Sequence, residues 1–160
     1  AWRESALNKT RGVRITVSTS WFVPKPHTAF QWEPQIPIEE YERRVKLLRE
    51  AMNTKSVTYN WHPSPTSFME AVISCGDRRL GKVIETAWRK GETLSAWEDY
   101  FDLNRWMEAF EECALDPHFY ANRRRSEDEI LPWSMISCGV APGYLKREHA
   151  LSYELSLIHI

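Results

Sequence analysis

Residues 13–23 read VRITVSTSWFV and alternate β-branched with small polar side chains, a pattern typical of a β-strand. In an extended chain Val13, Ile15 and Val17 lie on one face, and the residues between them lie on the other. The stretch runs into residues 24–37, where four prolines in fourteen positions exclude both a helix and a central strand. We therefore predict a strand that leads into a stiff, irregular loop, called the Pro-rich loop below.

A helix is predicted over residues 37–53, PIEEYERRVKLLREAMN, because Pro37 suits the first turn and Glu39 and Glu40 suit the positive end of the helix dipole. Its apolar stripe consists of Ile38, Tyr41, Val45, Leu48 and Met52. Residues 56–61, SVTYNW, predict a second strand. Strand, helix and strand make one βαβ unit, and two strands do not form a stable sheet alone. The pattern therefore indicates an α/β fold whose sheet needs further strands.

The rest of the chain is predicted to be mainly helical. Ser67 and Glu70 have capping-box spacing before a short helix, and Asp77 is the predicted cap of a second helix that Gly91 ends. The apolar stripe of that second helix consists of Leu80, Val83, Ile84, Ala87 and Trp88. Three further helix starts are Asp102, Asp116-Pro117 and Ser126 with Glu129, and residues 141–154 predict a final helix.

The composition excludes several classes of protein. At 160 residues the chain has the size of one domain, and its net charge of −1 argues against a general nucleic-acid binder. No apolar run approaches the roughly 20 residues that span a bilayer, so we predict no membrane association. The three cysteines are odd in number and match no CxxC pair. Free thiols of this kind indicate a reducing compartment, and we predict the cytoplasm.

The Pro-rich loop is a candidate ligand site because it follows a strand, at the edge where parallel α/β folds bind ligands. Its polar side chains are Lys25, His27, Thr28 and Gln31. The alternative is a stiff surface loop with solvated side chains. His62 also follows a strand, and it is either a ligand-side group or a hydrogen-bonded structural histidine.

Two charged clusters are open to two interpretations each. Arg78 and Arg79, beside Asp77, could bind a phosphate or carboxylate with paired hydrogen bonds, or they could pair with acids of the protein itself. Residues 123–129, RRRSEDE, predict a solvated face of self-paired charges, with a contact to RNA as the alternative. No HExxH, Walker, GxSxG or GxGxxG motif is present, so we name no catalytic residue.

Several motifs in order resemble one family, the radical SAM proteins that carry an N-terminal cobalamin-binding-like domain. The motifs are VSTSWFVPKPHTAFQWEPQ, GDRRLGKVIETAW, WMEAFEE, LDPHFYANRRRSEDEILPW and a CGV before the final helix. The resemblance runs from about Arg11 to Glu154 and corresponds to the C-terminal end of the radical SAM core and the helical segment after it. Cys75 departs from the family, since an arginine is expected before the Gly-Asp-Arg-Arg run.

The resemblance implies that residues 1–62 are the C-terminal end of a partial (β/α) barrel and residues 63–154 a mainly α-helical extension. It implies a full-length parent that holds a 4Fe–4S cluster on a CxxxCxxC loop upstream of Ala1 and cleaves S-adenosylmethionine reductively to a deoxyadenosyl radical. Cobalamin binding and the substrate stay open. This fragment is then expected to bind no metal or cofactor alone, to be inactive alone, and to have the rest of its barrel as its partner.

The same resemblance implies that the substrate mouth is lined by Lys25, His27, Thr28 and Gln31, and next by Asp77, Arg78 and Arg79. Residues 155–160, LSLIHI, match the translation of a transposon-end adapter used in sequencing libraries, so we expect an assembled fragment whose N-terminus is also a cut. The alternative function is a free-standing helical module that binds RNA or a protein through Trp-rich and Arg-rich faces. Within the enzyme, the helical extension could also recognise RNA or another macromolecular substrate.

Overall fold

The computed structural model describes residues 14–158. Val13 of the predicted strand, the N-terminal residues 1–12, which were predicted to start at a cut, and residues 159–160 of the LSLIHI segment lie outside the described residues. The described chain is mixed α/β and mostly helical, with a small two-stranded parallel sheet. At this level the predicted fold class is confirmed. The elements are β1 (Ile15–Thr19), α1 (Ile38–Ala51), β2 (Val57–Trp61), α2 (Ser64–Ser74), α3 (Leu80–Arg89), a 3-10 helix (Glu98–Tyr100), α4 (Leu103–Glu112), α5 (Pro117–Ala121) and α6 (Pro142–Ile158).

The first of two compact units contains β1, α1 and β2. The strands run parallel, with Ile15 opposite Val57 in the register. The predicted stripe of α1 is confirmed by Tyr41, which is buried and stacks on Trp21 with ring centres 4.7 Å apart. Both strands remain largely exposed, and Ile15 keeps 40% of its surface in contact with solvent. β1 is shorter than the predicted strand because the chain turns irregular after Thr19, ahead of Pro24.

The second unit contains the Pro-rich loop up to residue 36 and the helices α2 to α6. Gln35 is fully buried and attaches the loop to two helices. Its Nε2 donates to the carbonyl of Ser67 in α2 at 3.1 Å, and its backbone N–H donates to the carbonyl of Ala121 in α5 at 2.8 Å. Asn122 donates back to the carbonyl of Gln35 at 3.0 Å. These bonds satisfy buried backbone groups of the loop. The loop lies outside any helix or strand, so it lacks the regular hydrogen bonds of those elements.

Arg125 is a buried cation of the second unit, and no carboxylate of the described residues pairs with it. Its guanidinium Nη2 donates to the carbonyl of Tyr120 at 2.5 Å and to the carbonyl of Cys75 at 3.5 Å. These carbonyls lie at the C-terminal ends of α5 and α2, where the helix dipoles are negative. Burial lowers the pKa of Arg125. Arg125 therefore does not belong to the solvated charged face predicted for residues 123–129, since its charge is stabilised by backbone carbonyls instead.

Two predicted helix starts are wrong. Ser67 does not cap a helix, because α2 begins three residues earlier at Ser64 with Pro65 in its first turn, and Ser67 is buried inside it. Ser126 and Glu129 start no helix either. The chain from residue 122 to 141 consists of turns and irregular backbone. Pro132 has no N–H to donate and prevents a helix from propagating there.

The other helix signals hold for the most part. Asp102 and Asp116 accept the backbone N–H two residues on, each at 2.9 Å, and Gly91 ends α3 with φ of +93°. The predicted stripe of α3 is wrong at two of its five positions, since Ile84 and Trp88 are exposed. Within residues 14–158, no helix is both long enough and apolar enough to cross a membrane.

Candidate functional site

The candidate site is a pocket of about 230 Å³ between the Pro-rich loop and residues 127–146, called the loop pocket here. Its floor belongs to a buried apolar cluster of Trp32, Leu131, Trp133 and Leu145. Its other lining residues include His27, Gln31, Glu127, Cys138 and Lys146. An apolar floor with a few convergent polar groups is the usual composition of a small-molecule site.

Gln31 organises the loop pocket. Its side chain is buried, and its Oε1 accepts the indole N–H of Trp133 at 2.7 Å and the backbone N–H of His27 at 3.1 Å. The second bond holds His27 in a left-handed conformation with φ of +58°, which is uncommon for a side chain of this size. The His27 ring is half-buried at the pocket rim and makes no hydrogen bond with the residues that the structure describes. It is therefore available to a ligand.

The other two predicted residues of the loop do not line this pocket. The Lys25 ammonium donates to the carboxylate of Glu70 and, at 3.1 Å, to the hydroxyl of Ser74, both in α2. The Thr28 hydroxyl donates to the carbonyl of Lys25 at 2.8 Å. The structure thus brings His27 and Gln31 together, while Lys25 and Thr28 stabilise the loop.

The remaining predicted residues lie elsewhere. His62 belongs to the first unit, where its backbone N–H donates to Thr19 and its carbonyl accepts the hydroxyl of Tyr41 at 2.8 Å, while its ring is exposed. Arg79 forms a two-pronged ion pair with Asp77, with Nη2 2.6 Å from Oδ2, and hydrogen bonding to Arg79 lowers the pKa of Asp77. For Arg79, this ion pair agrees with the alternative that the arginine pairs with an acid of the protein itself. Arg78 is exposed and pairs with no acid among the described residues.

A polar network next to the pocket was not predicted from the sequence. The His149 ring is buried between two carboxylates, with Nδ1 2.8 Å from Glu127 Oε1 and Nε2 2.8 Å from Glu33 Oε1. The same Glu33 oxygen accepts the hydroxyl of Tyr153 and the Nη2 of Arg124, each at 2.6 Å. The contacts between Glu33 and α6 span more than 110 residues of chain, so no local spacing could have indicated them.

The surroundings of Glu33 keep its carboxylate ionised. Burial by itself raises the pKa of Glu33, but the hydrogen bonds from Tyr153 and His149 and the charge of Arg124 outweigh burial. The pKa therefore lies below its usual value of 4.5. Glu33 is a fixed negative charge that connects the Pro-rich loop to α6.

The described residues do not fit an iron–sulfur cluster. No group of three His, Cys, Asp or Glu side chains in residues 14–158 is arranged to hold a metal ion. The cysteines are all free: Cys75 is buried, Cys113 is half-buried and Cys138 is exposed. Burial raises the pKa of the Cys75 thiol.

Comparisons with known proteins place the chain in no characterised family. No family model matches it, and no solved structure matches it. It is 20% identical over 118 residues to an uncharacterized protein of Methanocaldococcus jannaschii. That alignment covers 68% of this chain and 25% of the archaeal protein, so the chain spans about a quarter of the length of this relative.

Proposed function

We propose that this chain is the C-terminal part of a radical SAM enzyme, in which the first unit completes a partial (β/α) barrel and the second unit contributes to the substrate side. The whole enzyme would hold a 4Fe–4S cluster that cleaves S-adenosylmethionine reductively, with the cluster cysteines outside this stretch. Because the described residues do not fit a cluster, this chain would take no part in the cleavage itself. Its own role would be to close the barrel and to contact substrate.

The observation that carries this proposal is the exposed parallel sheet. Parallel strands in proteins are almost always buried on both faces and flanked by further strands. Here β1 and β2 pair only with each other within the described residues, and Ile15 and Trp61 remain more than one-third exposed. A parallel pair of this kind requires neighbouring strands, and a (β/α) barrel supplies them on both sides.

Within the proposed enzyme, His27 is the residue of this chain that we assign to the substrate. Gln31 fixes the backbone of His27, and the ring of His27 has no partner among the described residues. A histidine ring in this position can donate or accept a hydrogen bond with a substrate. Lys25, Thr28 and Gln31 would position the loop, since their polar atoms already have partners within it or in α2 and Trp133.

The test is made on the intact parent protein, purified anaerobically and reconstituted with iron and sulfide. The proposal expects the electron paramagnetic resonance signal of a reduced 4Fe–4S cluster, and release of 5′-deoxyadenosine from S-adenosylmethionine under reducing conditions. A parent that binds no cluster after reconstitution would overturn it. A parent carrying His27→Ala should still form the cluster but lose coupling of S-adenosylmethionine cleavage to product, with Lys82→Ala, at an exposed position of α3, as the control.

The alternative, a free-standing binding module, is favoured by one observation. Trp88 and Trp97 in the second unit are more than 60% exposed, as expected of side chains that stack on a partner. The arginines proposed to assist RNA binding are engaged, however: Arg123 pairs with Glu129, Arg124 pairs with Glu33, and Arg125 is buried. A module that binds single-stranded RNA should lose affinity steeply with salt. Fluorescence titration of this chain with an RNA oligonucleotide at two salt concentrations tests this alternative, and absence of salt-dependent binding would exclude RNA as the partner.

A further inference from the structure

A second concave site of the second unit has a composition quite different from that of the loop pocket. It is a groove of about 490 Å³ lined by Phe22, Phe30, Glu33, Pro34, Ser152 and Tyr153, called the aromatic groove here. Its volume lies in the range of small-molecule sites. Three of its six lining residues are aromatic, and one is a carboxylate. None of the aromatic residues was singled out by the sequence.

The aromatic rings of the groove are unusually open to solvent for rings that line a concavity. Phe22 is 44% exposed, Phe30 is 41% exposed and Tyr153 is 45% exposed. A buried core would cover such rings, and an exposed cluster of them on a folded surface indicates a binding site. The groove therefore presents ring surface that nothing in the described chain covers.

Two of the lining rings, those of Phe22 and Phe30, pack edge to face. Phe22 and Phe30 have ring centres 5.9 Å apart and planes 80° apart. Phe30 and Tyr153 both stand perpendicular to the ring of His149, with interplanar angles of 83° and 86°. Walls at right angles offer ring faces to a rounded guest from more than one direction, whereas a flat guest would need parallel walls. The faces of aromatic rings are electronegative, so the guest they favour is a cation.

The lining carboxylate adds a negative charge. The carboxylate of Glu33 accepts three hydrogen bonds, all of them on Oε1. Its Oε2 accepts no hydrogen bond from the residues that the structure describes. The hydrogen bonds on Oε1 also keep the pKa of Glu33 below its usual value, so the carboxylate is ionised at neutral pH.

The chain itself holds one cation in this manner beside the groove. The guanidinium carbon of Arg124 lies 5.4 Å from the centre of the Tyr153 ring, and Arg124 also donates to Glu33. A carboxylate next to an aromatic face therefore already stabilises an organic cation here. Glu33 also lines the groove, where the rings of Phe22 and Phe30 are exposed to a second cation.

From these contacts we propose that the aromatic groove binds a small quaternary ammonium compound, with the methylated nitrogen against Phe22, Phe30 and Tyr153 and its charge facing Glu33. A methylated ammonium ion suits the groove better than a primary amine. It has little hydration to lose, and it contacts several ring faces at once. The groove would bind such a cation whether or not the chain belongs to a radical SAM enzyme, because the six residues lie in this chain.

The test compares two probes of the same shape on the full 160-residue chain labelled with ¹³C at its Phe and Tyr rings. Choline carries a trimethylammonium group, and 3,3-dimethyl-1-butanol replaces it with a neutral tert-butyl group. We expect choline to shift ring resonances of Phe22, Phe30 and Tyr153 saturably, and the neutral probe to bind about tenfold more weakly or more so. Equal affinity for the two probes would overturn the proposal, since it would reduce the groove to an apolar surface. Absence of saturable choline binding would overturn it as well.

A matched pair of variants locates the site. Phe30→Leu keeps an apolar side chain but removes a ring face, and it should weaken choline binding by about three- to tenfold. Phe119→Leu removes a ring of similar exposure that lies outside the groove, and it should leave choline binding unchanged. If the two substitutions weaken choline binding equally, choline does not bind in the aromatic groove. Both variants concern exposed rings, and circular dichroism checks that each remains folded.

Discussion

Arg125 shows at the scale of one residue how the second unit is held together. Its guanidinium is buried and bonded to the carbonyls of Tyr120 and Cys75. We predict that Arg125→Met lowers the free energy of unfolding by about 2–4 kcal/mol, because it leaves buried carbonyls without donors. Urea denaturation followed by circular dichroism measures the change. Arg78→Met is the control: this exposed arginine should contribute less than about 0.5 kcal/mol. Equal losses in the two variants would contradict the assigned role.

The pH dependence of stability depends on Glu33. Its pKa is lowered in the folded chain, so the unfolded chain binds the proton more readily. The stability contributed by Glu33 is therefore complete above its unfolded pKa of about 4.5 and is lost as the pH falls through the lower folded pKa. We predict that the melting temperatures of the wild type and of Glu33→Gln differ at pH 7 and converge as the pH falls below about 4.5. If the melting temperatures of the two proteins differ by the same amount throughout that pH range, the prediction is wrong.

At the scale of the elements, two glycines of α3 have opposite roles. Gly91 ends the helix with φ of +93°, and a side chain there is strained, so Gly91→Ala should destabilise by about 1–2 kcal/mol. Gly81 lies within the same helix, and a Cβ there would meet no atom within 4 Å. Gly81→Ala should stabilise by about 0.5–1 kcal/mol, because alanine loses less backbone entropy in a helix. Urea denaturation of both variants measures the two changes in the free energy of unfolding. If both variants are stabilised, or both are destabilised, the assigned roles are wrong.

Sequence patterns predicted elements where the signal was local. Pro37, Glu39 and Glu40 predicted the start of α1, and Gly91 predicted the end of α3. Prediction failed where a residue outside the recognised pattern, or the packing of the helix, decided the outcome. Ser67 resembled a cap, but Pro65 had already started α2 upstream. Ile84 and Trp88 completed an apolar stripe, yet the helix buries a narrower face than its sequence offers.

The candidate site was predictable to the same limited extent. The position of the Pro-rich loop after a strand indicated a ligand site, and His27 and Gln31 do line a pocket. The partner of Gln31 is Trp133, 102 positions away, and no spacing rule connects the two. No local pattern marked Glu33 or Phe30 as a candidate site residue, because their surroundings are created by α6 at the other end of the chain.

At the scale of the whole molecule, the two units should differ in local stability. The first unit has two short strands that pair only with each other among the described residues, whereas the second buries most of the apolar core. We predict by hydrogen-exchange mass spectrometry that the amides of β1 and β2 exchange at least about tenfold faster than those of α2 and α4. Equal protection would contradict this prediction, because it would mean that the strands are covered in solution.

The attachment of the Pro-rich loop determines when it can fold during synthesis on the ribosome. Lys25 and the side chain of Gln35 bind α2, which follows soon after the loop. Three other anchors are Trp133 for Gln31, the backbone N–H of Arg125 for Trp32, and Asn122 for Gln35, and these are translated roughly 90–100 residues after the loop. At typical elongation rates the nascent loop therefore waits about 5–20 s for its partners. During that interval Trp32, which is buried in the folded chain, is accessible to chaperones that bind aromatic segments of nascent chains.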